Sequence, residues 1–117
     1  MVDTNILLYF LKGNKKLTSI LKDREIVISF VTELELLSFP ELTKKDEKII
    51  KELIDNCVVV DLNEEIKAKT INIRRSYAQK LPDAIIAATA EYFGLPLFTA
   101  DQALGKVKDI DVVIFEI

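Results

Sequence analysis

Short apolar runs alternate with stretches of helical periodicity from one end of this chain to the other, an order that few architectures accept. Residues 27–29, 58–60, 97–99 and 112–115 read as strands, and residues 1–3 as a stub strand. Helices are expected over 6–12, ended by Gly13, and over 15–23, with Leu17, Ile20 and Leu21 on one face. A third spans 32–38 and stops at Pro40, and a fourth opens at a capping box of Thr43 and Asp46 and carries the stripe Ile49, Ile50, Leu53 and Ile54. Asn63 caps a long helix in which Ile66, Thr70, Ile73, Tyr77 and Leu81 recur, with Pro82 closing it. An Ala- and Ile-rich helix over 83–93 ends at Gly94, with Pro96 just beyond, and a short one follows over 102–106. The strands are apolar throughout rather than alternating, as in a parallel sheet covered on both faces. The expected fold is α/β: three layers, α/β/α, around a central parallel sheet of about five strands, in one domain over residues 1–117.

Composition narrows the chemistry. The chain contains no histidine, which excludes Ser-His-Asp and Cys-His nucleophile activation, histidine-pair ribonucleolysis and His-ligated zinc. Its one cysteine, Cys57, lies beside an apolar run; it forms no intrachain disulfide or multi-cysteine metal site and is expected to be a buried, inert thiol. With 16 basic and 19 acidic residues the net charge is −3, so any nucleic-acid site is local rather than a global positive field. No apolar stretch is long enough to span a bilayer and residues 1–3 lack the features of a signal peptide, so a cytoplasmic protein is expected. Any catalytic groups are then carboxylates, lysines, tyrosines, hydroxyls or a metal held by oxygen.

Ligands of open parallel sheets bind beyond the carboxyl ends of the strands, and acids stand at those transitions. Asp3 follows the first strand, Glu33 and Glu35 lie just past the second, Asp83 opens the Ala-rich helix, and Asp101 follows residues 97–99. Taken singly, Asp3, Asp83 and Asp101 read more readily as helix caps or first-turn residues. Glu33 and Glu35 point about 200° apart on a helix, and position alone does not choose between them. Taken together, a cluster of carboxylates calls for a cation: two of them about 4 Å apart repel by roughly 4 kcal/mol at an effective dielectric near 20. Mg²⁺ or Mn²⁺ suits such oxygen donors, and phosphodiester chemistry follows. The runs around Lys44 to Lys48, and Asp109 and Asp111, read as solvated charge, and Tyr9, Tyr77 and Phe93 as core stripes.

Four segments, in order, carry a resemblance: Asp3-Thr4-Asn5; Ser29-x-x-Thr32-x-x-Glu35-Leu36; Leu81-Pro82-Asp83-Ala84-Ile85-Ile86-Ala87-Ala88-Thr89-Ala90; and Thr99-Ala100-Asp101. The chain resembles the PIN domain family, in particular the VapC-type toxins of prokaryotic toxin-antitoxin pairs. The resemblance implies a metal-dependent ribonuclease with Asp3, Glu35, Asp83 and Asp101 as catalytic and metal-holding acids. It selects Glu35 over Glu33, since the matching motif places its acid three residues after the threonine. It implies that Asn5 and Thr99 orient a carboxylate or water, that the cofactor is Mg²⁺ or Mn²⁺, and that hydrolysis leaves a 5′-phosphate and a 3′-hydroxyl. Its implied partners are RNA, a small antitoxin protein and a second copy of the chain, for which Leu34, Leu36, Leu37 and Phe39 offer apolar surface. Cations expected to meet RNA are Arg74, Arg75 and Lys80, with Lys12, Lys15 and Lys16 as further candidates; one of the arginine pair alternatively meets an acidic antitoxin segment. A phosphoacceptor module lacks its adjacent acids and its lysine after the last strand, and an aspartyl phosphatase lacks a second aspartate where Asn5 stands. A PIN-like module that binds RNA or protein without cutting is the competing expectation.

Overall fold

The computed structural model describes residues 1–116. Asp3 caps α1 (Thr4–Leu11), and Asn14 caps α2 (Lys15–Leu21) by accepting the Leu17 N–H. Strand β1 (Ile26–Ser29) runs directly into α3 (Phe30–Leu37), with Ser29 as the cap. The expected capping box of Thr43 and Asp46 opens α4 (Lys44–Asp55), whose Ile50 and Ile54 are buried. Then come β2 (Cys57–Val60), α5 (Glu64–Tyr77), α6 (Leu81–Phe93), β3 (Leu97–Thr99), a 3₁₀ helix (Gln102–Lys106) and β4 (Val112–Ile114).

The sheet corrects the expectation of about five strands. Two parallel pairs form, β1 with β2 and β3 with β4, and residues 1–3 contribute a single bridge, Val2 to Phe98, rather than a strand. The cause is local: α1 begins at Thr4, so pairing with the sheet stops at the Asp3 cap. The bridge nonetheless joins the halves. Val2 N–H donates to Val27 O (3.1 Å) on one side, while Phe98 N–H donates to Met1 O (2.8 Å) and Asp3 N–H to Phe98 O (2.9 Å) on the other.

Two apolar clusters flank this sheet. One gathers Val2, Ile6, Leu7, Leu17, Leu21, Ile28, Leu36, Ile50, Ile54 and Phe115; the other gathers Val31, Ile66, Ile73, the alanines of α6, Leu97, Leu104 and Val107. Ala84, Ala87, Ala88 and Ala90 present almost no side chain, which lets the backbone of α6 approach its neighbours closely. A second correction falls between α5 and α6. Leu81 does not continue the α5 stripe and Pro82 does not close that helix: α5 stops at Ala78, in the left-handed conformation (φ 53°), and Leu81 and Pro82 begin α6. Proline fits there because the first turn needs no N–H donors.

Phe93 is also not core; it is half exposed and stacks edge-on against Tyr92. Of the four apolar residues expected to face a second copy, Leu36 is fully buried and Leu37 packs beside it, while Leu34 and Phe39 are exposed. Cys57 is half buried, its thiol 3.3 Å from Leu53 O, and burial pushes its pKa up, as expected of an inert thiol. Among the described residues no helix is long and apolar enough to cross a membrane.

Candidate active site

Asp3, Asn5, Glu35, Asp83 and Asp101 line one pocket of about 430 Å³, together with Thr4, Leu8, Ser38 and Phe39. The pocket opens at the carboxyl ends of β1 and β3, where the backbone leaves the sheet for α3 and for the 3₁₀ helix. Asp83 reaches it from the first turn of α6 and Asp3 from the cap of α1.

Three of the four acids are held by hydrogen bonds. Asp3 is buried, 4% exposed. One of its oxygens accepts the Thr4 N–H (2.7 Å); the other accepts the Thr99 hydroxyl (2.7 Å) and the Asn5 amide (3.3 Å). Thr99 Oγ1 in turn accepts the Asp101 N–H (3.0 Å), and Asn5 Oδ1 accepts the Ala100 N–H (3.1 Å), so Asn5 and Thr99 tie the start of the chain to the turn after β3. Asp101 caps the 3₁₀ helix by accepting the Ala103 N–H (2.9 Å). Glu35 accepts the Thr4 hydroxyl (2.7 Å). No hydrogen bond reaches the Asp83 carboxyl among the described residues.

The capping role and the shared pocket therefore coexist for Asp3 and Asp101, since a carboxylate has lone pairs for both. Burial raises the pKa of Asp3, against the pull of the Thr99 and Thr4 hydrogen bonds. Asp83 is pushed up to about 6, first by burial and then by the charges of Asp3, Asp101 and Glu35; Lys80 partly offsets this. That mutual repulsion is the mark of a site deficient in positive charge. An all-oxygen donor set of this kind fits a hard divalent cation. As the side chains stand, no group of three or more acids is close enough to hold one among the described residues.

The basic candidates separate. Lys80 caps α6 one turn from Asp83 and acts on its charge. Arg74 and Arg75 occupy the last turn of α5 outside the pocket, and the Arg74 Nε–H donates to Gln79 O at 3.3 Å. Lys12 lies 5.9 Å from the centre of the Tyr9 ring; neither it nor Lys15 nor Lys16 lines the pocket. Glu33 does not line it either. Sequence reasoning missed Thr4, Leu8, Ser38 and Phe39. For Thr4 the adjacent Asp3 and Asn5 were the available signal.

Fold and pocket together define an α/β protein with an all-carboxylate site at the carboxyl edge of its parallel strands. The chain belongs to the PIN domain family, whose model matches residues 1–110. Among solved structures it is similar to a toxin-antitoxin complex from Klebsiella pneumoniae, with 27% identity and a TM-score of 0.85 over 99% of this chain and 98% of that one. It also shares its fold with VapBC2 from Rickettsia felis bound to a DNA fragment from its promoter, at 17% identity and a TM-score of 0.87, covering 99% and 98% of the two chains. A third such structure is DNA-bound VapBC from Salmonella typhimurium, at 21% identity and a TM-score of 0.83, covering 97% and 96%. No curated protein matches the chain in sequence.

Proposed function

We propose that this chain is a divalent-metal-dependent ribonuclease of the VapC type, the cytoplasmic toxin of a toxin-antitoxin pair. What carries this reading is the meeting of Asp3, Glu35, Asp83 and Asp101, from four separate segments, at one pocket where the charges of its companions help raise the proton affinity of Asp83. Asp3 and Asp101 are the residues assigned to hold Mg²⁺ or Mn²⁺, with Asp83 and Glu35 completing the cage through water or a second ion. Asp83 is free of hydrogen bonds among the described residues and is the one able to swing inward, while Glu35, exposed at the rim, is held by the Thr4 hydroxyl through one oxygen. When bound, the cation acidifies water and offsets the charge that gathers on the phosphate oxygens during in-line attack.

The chain's own groups do the rest. Thr99 and Asn5 hold and aim the Asp3 carboxylate by hydrogen bonds, and Lys80 meets a phosphate that would otherwise face only acids. Arg74 and Arg75 lie outside the pocket and are assigned to more distant RNA or to an acidic antitoxin segment. A homodimer covering Leu34 and Phe39 belongs to the same reading; a sedimentation mass of one chain at micromolar concentration would remove it.

The deciding experiment is incubation with RNA and Mg²⁺ or Mn²⁺. Wild type is expected to yield fragments with 5′-phosphate ends, and Asp83→Asn to lose activity by about 100-fold or more. RNA left whole by folded wild type under both metals would overturn the proposal. It would favour a module that binds without cutting, in keeping with carboxylates that share a pocket while no three of them, among the described residues, converge on one point.

A further inference from the structure

We infer that Thr32 and Thr4 form a hydroxyl relay that aims Glu35 at the pocket, making both threonines positioning residues for the site; the inference deepens the ribonuclease reading and rests on it. The Thr4 hydroxyl oxygen stands 3.0 Å from Thr32 Oγ1 and 2.7 Å from Glu35 Oε1. Thr4 has one hydroxyl proton, so it cannot donate to both. The carboxylate is the charged and nearer acceptor and takes that proton. Thr4 is then left to accept, and Thr32 donates to it. The chain of bonds has a direction, Thr32 to Thr4 to Glu35, and each bond polarises the next.

The surroundings favour a purpose beyond packing. Thr32 is 0% exposed and Thr4 8% exposed, positions where valine has nearly the same shape and no hydroxyl to desolvate. Thr32 precedes Glu35 by three residues on α3, so both side chains lie on the face turned toward α1. This gives the Thr-x-x-Glu spacing a physical meaning: the threonine anchors a hydroxyl of α1, and that hydroxyl holds the acid. Tying back Oε1 leaves Oε2 free for a cation or water in the pocket. Glu35 is otherwise an exposed side chain with many rotamers, and restricting them is what a metal or water ligand needs.

Two measurements test this. The first needs no metal: urea unfolding of Thr4→Val, Glu35→Gln and the double variant. The relay predicts that the effect of Thr4→Val shrinks in the Glu35→Gln background, because the two groups are coupled; purely additive effects would overturn it. The second is Mn²⁺ affinity by calorimetry, with RNA turnover followed in parallel. Thr4→Val is expected to weaken Mn²⁺ binding about 10-fold and Thr4→Ser to recover it, with Thr32→Val intermediate. A Thr4→Ser variant as weak as Thr4→Val would overturn the relay. A wild type that ignores Mn²⁺ but keeps the coupling would sink the nuclease reading while supporting the relay.

Discussion

Asp83 differs from its three companions in having no donor to hold it among the described residues, and its behaviour with pH follows from that. Its pKa is displaced from 3.8 to about 6, so the folded protein binds a proton there more tightly than the unfolded chain does. Between those values the native state carries the extra proton, and stability falls as pH rises through the window. The full shift corresponds to roughly 3 kcal/mol, and solvent screening of a half-exposed group reduces it to about 1 kcal/mol. Metal-free protein should therefore melt a few degrees higher at pH 5 than at pH 7.5, and Asp83→Asn should flatten that difference in calorimetric scans. An unchanged slope in the variant would show that Asp83 is not the group responsible. The acids were legible in the sequence because a carboxylate where a strand gives way to a helix stands out against apolar neighbours. Thr4 and Thr32 were not legible as a pair: a hydroxyl's partner is set by folded proximity, and these two are 28 residues apart.

At the scale of elements, what could be read depended on whether a boundary has its own chemistry. Thr43 and Asn63 each carry a side chain that accepts a helix N–H, and each marks the start of its helix as expected; Asn14 does the same for α2. Gly94 supplies the left-handed cap of α6 (φ 63°) and was equally plain. The end of α5 had no such marker. Ala78 takes the left-handed conformation although alanine is the strongest helix former, and Leu81 continues the apolar spacing in register. Only packing resolves it: Gln79 is buried, its amide donating to Ala103 O at 2.9 Å, which pulls the chain out of α5 toward the 3₁₀ helix. That departure is what lets Pro82 start α6 and sets Asp83 in its first turn, one turn from Lys80. A continuous helix through Leu81 would carry Asp83 elsewhere, so the boundary that sequence reasoning misplaced is one on which the site depends.

Across the whole molecule, the pocket depends on two half-sheets joined through one residue. Val2, 5% exposed, pairs with both β1 and β3, and its neighbour in sequence is Asp3. At the amino ends of the same strands lies a larger apolar groove of about 530 Å³, lined by Met1, Val2, Ile26, Pro96, Phe98 and Val113. It holds no converging acids, so the chemistry belongs to the other end of the sheet. Periodicity could announce that strands exist but not how many residues each would pair, because pairing length depends on where the flanking helix begins. The consequence is a mechanical one. Val2→Ala should cost about 2 kcal/mol in urea unfolding, as expected for trimming a buried valine, whereas Val58→Ala, on the outer strand at 45% exposed, should stay within about 0.5 kcal/mol. Because the Asp3 N–H is bonded across the same bridge, loosening Val2 should also weaken Mn²⁺ binding. Ile54→Val, a buried change in α4 that touches none of the bridge's hydrogen bonds, should leave that binding as in wild type. Equal Mn²⁺ affinity in Val2→Ala and wild type would mean that the hydrogen bonds from Thr4, Asn5 and Thr99 hold Asp3 without help from the sheet.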